Sequence, residues 1–187
     1  MRESVFVDHT PETAPPASRR VMAGVADRMG YLPAPVARLA GSPQLLDGFL
    51  GISARFEATT LDPLAREVVV LAVATRNGCE VCVALHTAKL TALGADPDLI
   101  AALRERRPLA DGRLEAVRVF TLAVLATAGA VADDVLDAFL AAGHTARNAL
   151  EVVLGIGAYT TSTLANRLTG APLDERLAPF AWHGHAG

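Results

Sequence analysis

Apolar residues recur along this chain at intervals of three and four, the spacing that puts them on one side of a helix. Prolines, glycines and capping residues divide this pattern into short segments, and the one concentrated β-branched run lies at 68–73. We therefore predict an all-α fold. The predicted helices cover about 18–29, a short segment ending near 41, 43–57, 62–76, 79–94, a short segment from 97, 111–127, 133–142 and 145–168.

The helix predicted at 62–76 has the clearest boundaries. Asp62 is a typical N-cap, Pro63 suits the first helical position, and Asn77-Gly78 is a typical stop. Apolar residues occupy nearly every side of this helix, so we expect it to lie at the centre of the fold. Glu67 is then carried into the interior.

Chain length and proline content predict the domain organisation. Residues 1–17 include Pro11, Pro15 and Pro16, which deny the backbone regular hydrogen bonds and favour an extended arm. Ser18 is the predicted N-cap of the first helix. The remainder, 18–187, is long enough for one good core and too short for two ordinary ones. We expect one all-helical domain.

Charge and hydropathy exclude several classes of partner. The formal net charge is −3, and no basic cluster is present that could bind nucleic acid or an anionic membrane. The longest uncharged apolar stretch, 119–132, is shorter than the roughly 20 residues that a bilayer requires. The N-terminal residues lack the apolar core of a secretory signal. We expect a cytoplasmic protein with neither partner.

The residues best suited to catalysis lie close together in the sequence. They are Cys79 and Cys82, which are the only two cysteines of the chain, and His86, one of its five histidines. On a helix, the i, i+3 and i+7 spacing places all three on one face. Cys79 lies in the first turn, where free N–H groups favour a thiolate, so its pKa should be lowered. Glu67, on the helix that precedes the turn, can hold the imidazole in one tautomer.

Other interpretations of a C-x-x-C spacing stay open at this stage. Glu67, Cys79, Cys82 and His86 could together hold zinc, or the cysteines could simply be packed in the core. A c-type haem requires His directly after the second cysteine, and a thioredoxin site follows a strand, so both are set aside. The C-terminal stretch 182–185 (WHGH) indicates either metal binding or, more simply, a frayed tail.

The sequence also contains an internal similarity. Residues 45–50 (LLDGFL) match 135–140 (VLDAFL), and each copy is followed by a Val-rich helix with a glutamate, Glu67 or Glu151. This predicts a duplicated helical unit over about 42–94 and 132–170. Superposing the two glutamates puts Thr163, Asn166 and Gly170 where the first unit has its thiols and histidine. The alternative is that both segments are instances of a common amphipathic helix pattern, with no duplication.

The order Arg66-Glu67, then 77–82 (NGCEVC), then three residues and His86 resembles the carboxymuconolactone decarboxylase superfamily. Within it, the spacing is similar to that of the alkylhydroperoxidase D-like peroxidases. The resemblance extends over most of the chain, including 30–51 and 166–170, but only the motif is diagnostic.

This resemblance implies an all-helical homo-oligomer, a trimer or hexamer, that reduces hydrogen peroxide or organic hydroperoxides. Glu67 and His86 would relay protons while Cys79 and Cys82 alternate between dithiol and disulfide. The resemblance assigns attack on peroxide to Cys82 and resolution to Cys79, whereas helix position favours Cys79 as the thiolate. It implies no cofactor and no metal, but requires an external dithiol reductant or a reductase partner.

The sequence departs from the family pattern at one position, and two other functions stay open. The founding peroxidase has a histidine just before its second cysteine, where this chain has Val81, so one proton donor is missing. A lyase of the decarboxylase type would use Glu67 and His86 as acid and base, although such members commonly lack the cysteine pair. A redox-sensing oligomer without turnover is the third possibility.

Overall fold

The computed structural model describes residues 5–184, and within that range every regular element is helical. The predicted all-α class is therefore confirmed, while residues 1–4 of the predicted arm lie outside the described part. The helices in chain order are α1 (Pro16–Met29), α2 (Ala34–Leu39), α3 (Pro43–Glu57), α4 (Pro63–Arg76), α5 (Glu80–Ala92), α6 (Pro97–Arg104), α7 (Gly112–Thr127), α8 (Asp133–Ala141), α9 (Ala146–Thr169) and a 3₁₀ helix (Glu175–Phe180).

Side-chain caps set several of these boundaries as predicted. The Asp62 carboxylate accepts the Ala65 N–H at 2.9 Å at the start of α4. Asp111 caps α7, and Thr145 begins α9 with a capping box in which its hydroxyl accepts the Asn148 N–H. These caps depend on residues close in sequence, which explains why sequence alone located them.

The first helix begins two residues earlier than predicted. Pro16, not a residue after Ser18, occupies the first helical position, because a proline there loses no hydrogen bond and its fixed φ suits a helix. Ser18 is buried inside α1, and its hydroxyl donates to the Ala40 carbonyl at 2.7 Å. Ser18 therefore does not cap α1, as was predicted, but joins α1 to the segment after α2.

The described part of the arm, residues 5–15, lies against α2 of its own chain. Asp8 pairs with Arg38 at 2.7 Å, and the His9 N–H donates to the Ala37 carbonyl at 3.1 Å. Thr10 and Thr13 form a short turn. The arm is therefore irregular, as predicted, but anchored at defined points.

Helix α4 is the centre of the molecule, as predicted. Every residue from 67 to 75 is buried, and the helix packs against α5, α7 and α9. Glu67 is buried in this apolar helix, as predicted, and has no exposed surface. Such a carboxylate needs partners, because an unpaired charge in the interior is strongly unfavourable.

The two glycines inside α9 differ. A Cβ at Gly155 would lie 2.5 Å from the Phe56 ring and 3.0 Å from Val69, so the helices are in close contact there. At Gly157 the nearest atom would be Ile52 at 3.9 Å, an ordinary contact. Close packing therefore explains Gly155 but not Gly157.

The C-terminal segment is better anchored than the sequence indicated. Trp182 is buried, and its indole N–H donates to the Arg104 carbonyl at 3.1 Å, so a frayed tail is wrong at this residue. His185, the other end of the suspected metal motif, lies outside the described residues. Across residues 5–184, none of the helices combines the length and hydropathy needed to cross a bilayer. The cytoplasmic location stays a prediction.

Candidate active site

The site begins at the break between α4 and α5. Gly78 has φ +64°, a left-handed conformation that glycine adopts without strain. Two side chains of α9 hold this turn: the Asn77 amide donates to the Thr163 hydroxyl at 2.9 Å, and Arg167 donates to the Asn77 carbonyl. Cys79 consequently becomes the N-cap of α5.

The turn brings the two sulfur atoms together. Sγ of Cys79 and Sγ of Cys82 lie 2.8 Å apart as free thiols in hydrogen-bond contact. Both residues are buried, with exposed fractions of 1% for Cys79 and 4% for Cys82. The sequence predicted their shared face, and the distance puts them within reach of disulfide formation after a small movement.

The two thiols have different tendencies to ionise. The hydrogen bond between the two thiols is the largest cause that lowers the pKa of Cys79, against the effect of burial, and the nearby Arg167 charge acts in the same direction. The same contact, followed by burial, raises the pKa of Cys82 well above its ordinary value. The structure thus favours Cys79 as the thiolate, in agreement with its position at the helix start.

Two polar residues of α9 contact the second sulfur. The Asn166 amide nitrogen donates to Cys82 Sγ at 3.3 Å, and the Ser162 hydroxyl oxygen lies 3.7 Å from the same atom. Charge that develops on Cys82 would therefore meet two donors. Sequence reasoning missed both residues, although superposing the two predicted repeats had placed Asn166 at the position of Cys82.

The predicted carboxylate–imidazole pair is present. Nδ1 of His86 lies 2.6 Å from Oε2 of Glu67, and both residues are buried. Burial is the largest single influence on Glu67 and opposes ionisation, but His86 and Lys89 together hold its pKa below the ordinary range. Because Glu67 is then a carboxylate, Nδ1–H donates to it, and Nε2 is the nitrogen left to exchange protons.

A lysine, Lys89, which was not predicted from the sequence, completes the environment of this carboxylate. Lys89 Nζ lies 2.8 Å from Oε1 of Glu67 and also contacts Glu57, at the surface end of the same group. Burial lowers the pKa of Lys89, but its hydrogen bonds to Glu57 and Glu67 outweigh this and raise it. Ion pairs therefore extend from the buried imidazole to solvent.

Tyr159 packs edge-on against the His86 ring, with the ring centroids 5.0 Å apart. Burial is the main cause that raises the pKa of Tyr159 to about 12, so its hydroxyl stays protonated. That hydroxyl lies 3.4 Å from the Ser53 hydroxyl. Tyr159 therefore fixes the plane of the imidazole rather than exchanging protons with it.

The four predicted residues form two adjacent pairs. Among residues 5–184, His86 forms no hydrogen bond with either sulfur, and the link between the pairs is the single turn of α5 from Cys82 to His86. Residues at i and i+4 lie about 6 Å apart at Cβ, a gap that one water or a peroxide can span. The arrangement suits proton transfer to and from a thiol.

Access to the site is through Cys79. A cavity of about 330 Å³ is lined by Gly78 and Cys79 from the turn, by Asn166 and Arg167 from α9, and by the segment 170–173. Cys82 is not among its lining residues. Over residues 5–184, no group of three or more His, Cys, Asp or Glu has an arrangement suited to a metal ion.

Comparisons with known proteins agree with this description. Residues 43–123, which include all four predicted site residues, match the sequence profile of the Carboxymuconolactone decarboxylase family. No curated protein matches the chain.

Three solved structures share the fold over nearly their whole length. An uncharacterized peroxidase-related protein from Ralstonia eutropha JMP134, described as having an alkylhydroperoxidase AhpD core, has a TM-score of 0.81 at 20% identity and covers 95% of each chain. A peroxidase-related protein from Silicibacter sp. TM1040 has a TM-score of 0.77 at 17% identity, covering 94% of this chain and 95% of its own. A Cys→Ala variant of the debrominase Bmp8, in complex with 2,3,4-tribromopyrrole, has a TM-score of 0.76 at 13% identity, covering 95% and 96%.

These identities are low, so the structural likeness shows that the fold is shared but does not show that the reaction is shared. The sequence match covers the segment that contains the motif, and the fold match extends over the rest of the chain. Together they confirm the predicted resemblance: residues 43–123 match the Carboxymuconolactone decarboxylase family, and the chain has the fold of the alkylhydroperoxidase AhpD core.

Proposed function

We propose that the protein is a thiol-dependent peroxidase that reduces hydrogen peroxide or organic hydroperoxides. The observation that carries the proposal is the 2.8 Å contact of two thiols one helical turn from a buried Glu67–His86 pair. A dithiol supplies two electrons, and the imidazole can accept a proton from a thiol and return it.

The chemistry can be written so that atoms and electrons balance. The Cys79 thiolate attacks one peroxide oxygen, the O–O bond breaks, and the departing alkoxide or hydroxide takes a proton, leaving a sulfenic acid on Cys79. Cys82 passes its proton to His86 and attacks the Cys79 sulfur. The S–O bond breaks as the disulfide forms, and the displaced hydroxide takes the proton back from His86 and leaves as water. Two equivalents of an external thiol then restore the dithiol.

The assignment of attack to Cys79 differs from the assignment to Cys82 that the family resemblance implied. Its support is the lowered pKa of Cys79 and the position of that residue on the cavity wall. The assignment to Cys82 stays the competing prediction, and its support is the shorter distance along α5 to His86.

Single cysteine variants test both the activity and the assignment. We expect Cys79→Ser and Cys82→Ser each to lose catalytic peroxide consumption in the presence of a dithiol reductant. A sulfenic acid probe should label Cys82→Ser, in which Cys79 remains, faster than Cys79→Ser, and the reverse order supports attack by Cys82. If both variants consume peroxide as fast as the wild type, the proposed function is wrong.

The same variants separate the rival functions. A lyase that uses Glu67 and His86 should retain turnover of its lactone or carboxylate substrate when both cysteines are serine. A redox sensor should form the disulfide with peroxide but show a single turnover even with excess reductant. The fold likeness to a debrominase adds one substrate class to the assay, brominated pyrroles, which a dithiol could reduce with release of bromide.

We also propose that the chain self-associates through the outer face of α9. Leu150, Leu154, Gly157, Thr161, Leu164 and Leu168 follow one another at alternating intervals of four and three, the spacing of a coiled-coil seam. Leu150 and Leu168 are each 73% exposed, and Leu164 is 57% exposed. Leu164→Gln with Leu168→Gln should reduce the mass measured by light scattering, whereas an unchanged mass contradicts this interface.

A further inference from the structure

A second cavity, of about 280 Å³, adjoins the one that reaches Cys79. The two share Gly78, Glu80 and Arg167 in their walls, so they meet at the turn that carries the thiol. The second cavity also includes Arg76, from the end of α4, and Arg106, from the segment after α6. It belongs to none of the steps described above.

The walls of this second cavity are positively charged. Three guanidinium groups, of Arg76, Arg106 and Arg167, oppose one carboxylate, Glu80, which lies 4.0 Å from Nδ1 of His183. Within residues 5–184 neither Arg76 nor Arg106 has an ion pair. By contrast, Arg107, the next residue along the chain, pairs with Glu105 at 2.5 Å. Two exposed guanidiniums here are therefore available to an anion.

The backbone at Arg106 gives an independent observation. Arg106 has φ +58°, one of two non-glycine residues with positive φ in the described range. Its N–H donates to the Leu103 carbonyl and that of Arg107 donates to Ala102, a helix ending in which glycine or asparagine is usual. An arginine is unfavourable in this conformation, and its side chain lies in the wall of the second cavity.

Access decides which reactant meets these charges. Cys79 lines the first cavity and Cys82 does not, so a thiol that reduces the disulfide must attack Sγ of Cys79. The low exposure of Cys79, 1%, excludes bulky thiols. An attacking thiolate is itself an anion, and a carboxylate on the same small molecule would reach the neighbouring guanidiniums.

We propose that the second cavity binds the carboxylate of a small anionic thiol, the reductant of the Cys79–Cys82 disulfide. This inference rests on the dithiol cycle proposed above. The thiolate attacks Cys79 Sγ, the S–S bond breaks, and the electron pair leaves on Cys82, where Asn166 and Ser162 stabilise it. A second thiolate then attacks the sulfur of the bound molecule, releasing the Cys79 thiolate and a small disulfide.

The test measures disulfide reduction alone. The full chain is oxidised with diamide rather than peroxide, so the experiment remains valid if the protein proves to have no peroxidase activity. Rates are measured by acid quench and mass spectrometry for 3-mercaptopropionate, neutral 2-mercaptoethanol and cationic cysteamine. Differences in intrinsic thiol reactivity cancel when each variant is compared with the wild type for the same thiol.

The informative variant is Arg76→Gln with Arg106→Asn, because asparagine tolerates the backbone at 106 and Arg167, which holds the turn, is untouched. We expect the rate with 3-mercaptopropionate to fall about tenfold relative to 2-mercaptoethanol, and that with cysteamine to rise. Arg20→Gln, an exposed arginine of α1 outside both cavities, should leave all three rates unchanged. Equal changes for all three thiols, or no change, would overturn the proposal.

Discussion

The region from α4 to α5 and the helix α9 begin alike and then diverge. Each carries a buried glutamate, Glu67 or Glu151, near its start. The first region then breaks at Asn77-Gly78 and restarts at Cys79, whereas α9 continues unbroken to Thr169. One region therefore presents a helix N-terminus to a sulfur, and the other does not.

The two regions therefore have different roles: one contains the reactive side chains, and the other contains side chains that hold them in place. The broken region supplies the thiols and the imidazole, while the continuous helix supplies Thr163 and Arg167 to the turn and Asn166 to the Cys82 sulfur. Of the two α9 residues that superpose on the cysteines in the predicted duplication, Asn166 contacts Cys82, and Thr163 contacts Asn77, two residues before Cys79. The duplication itself stays a prediction, but its second unit behaves as a scaffold for the first.

The sharpest test of this comparison exchanges a carboxylate for an amide in each region. We expect Glu67→Gln to lower the free energy of unfolding by about 3 kcal/mol, because it removes one partner of a buried ion pair. Peroxide turnover should fall by about 100-fold as the imidazole loses its fixed tautomer. Urea unfolding and steady-state kinetics measure the two effects.

Glu151→Gln is the matched control. Glu151 accepts hydrogen bonds from the Thr60 N–H and hydroxyl and contacts no thiol or imidazole, so its loss should destabilise the fold while turnover per folded molecule is retained.

The pKa of Glu67 is lowered in the folded state, so its stabilisation is present above the unfolded value, about 4.3, and is lost as pH falls through the folded value. Glu67→Gln should flatten that slope, and equal loss of turnover in both variants contradicts the comparison.

The break itself is tested at Gly78. Gly78→Ala forces a side chain into a left-handed conformation and should destabilise the fold by about 1–2 kcal/mol. Because it disturbs the N-terminus of α5, it should also raise the pH at which iodoacetamide alkylates Cys79. Gly94→Ala is the control, since Gly94 has φ +71° and ends α5 in open space. It should show similar destabilisation but unchanged alkylation, and a shift in both variants would rule out a specific role for the turn.

The smallest expected effect concerns the support from α9. Asn166→Ala removes the donor 3.3 Å from Cys82 Sγ, so a thiolate leaving on Cys82 is less stable and disulfide reduction should slow about fivefold. Ser162→Ala, whose contact is longer at 3.7 Å, should slow it less. Stopped-flow reduction of the diamide-oxidised variants measures both rates. A larger effect at Ser162 than at Asn166 would contradict the geometry.

Sequence predicted what depends on neighbours along the chain. The caps of α4, α7 and α9, the helical class, the burial of Glu67 and the pairing of Cys79 with Cys82 all follow from local spacing. The start of α1 was misplaced, because Ser18 has a partner, Ala40, that no local pattern reveals.

The support of the site could not be predicted for the same reason. Asn166 and Ser162 contact Cys82 from 84 and 80 positions further along the chain, and Tyr159 contacts His86 from α9. Lys89 is one turn from His86, but its contact with Glu67 depends on the packing of α5 on α4. Residue types at such positions carry no periodic signal, so only three-dimensional packing identifies them.

The ion pairs beneath the imidazole also determine how the core stays electrically neutral. Glu57 and Glu67 balance Lys89 and Arg66 while His86 is uncharged, and a thiolate on Cys79 is balanced when the ring carries a proton. Forming the disulfide removes that negative charge, and returning the proton to solvent removes the positive one. The two electrons and the accompanying protons can thus depart together, so that neither redox state leaves an uncompensated charge inside the helices.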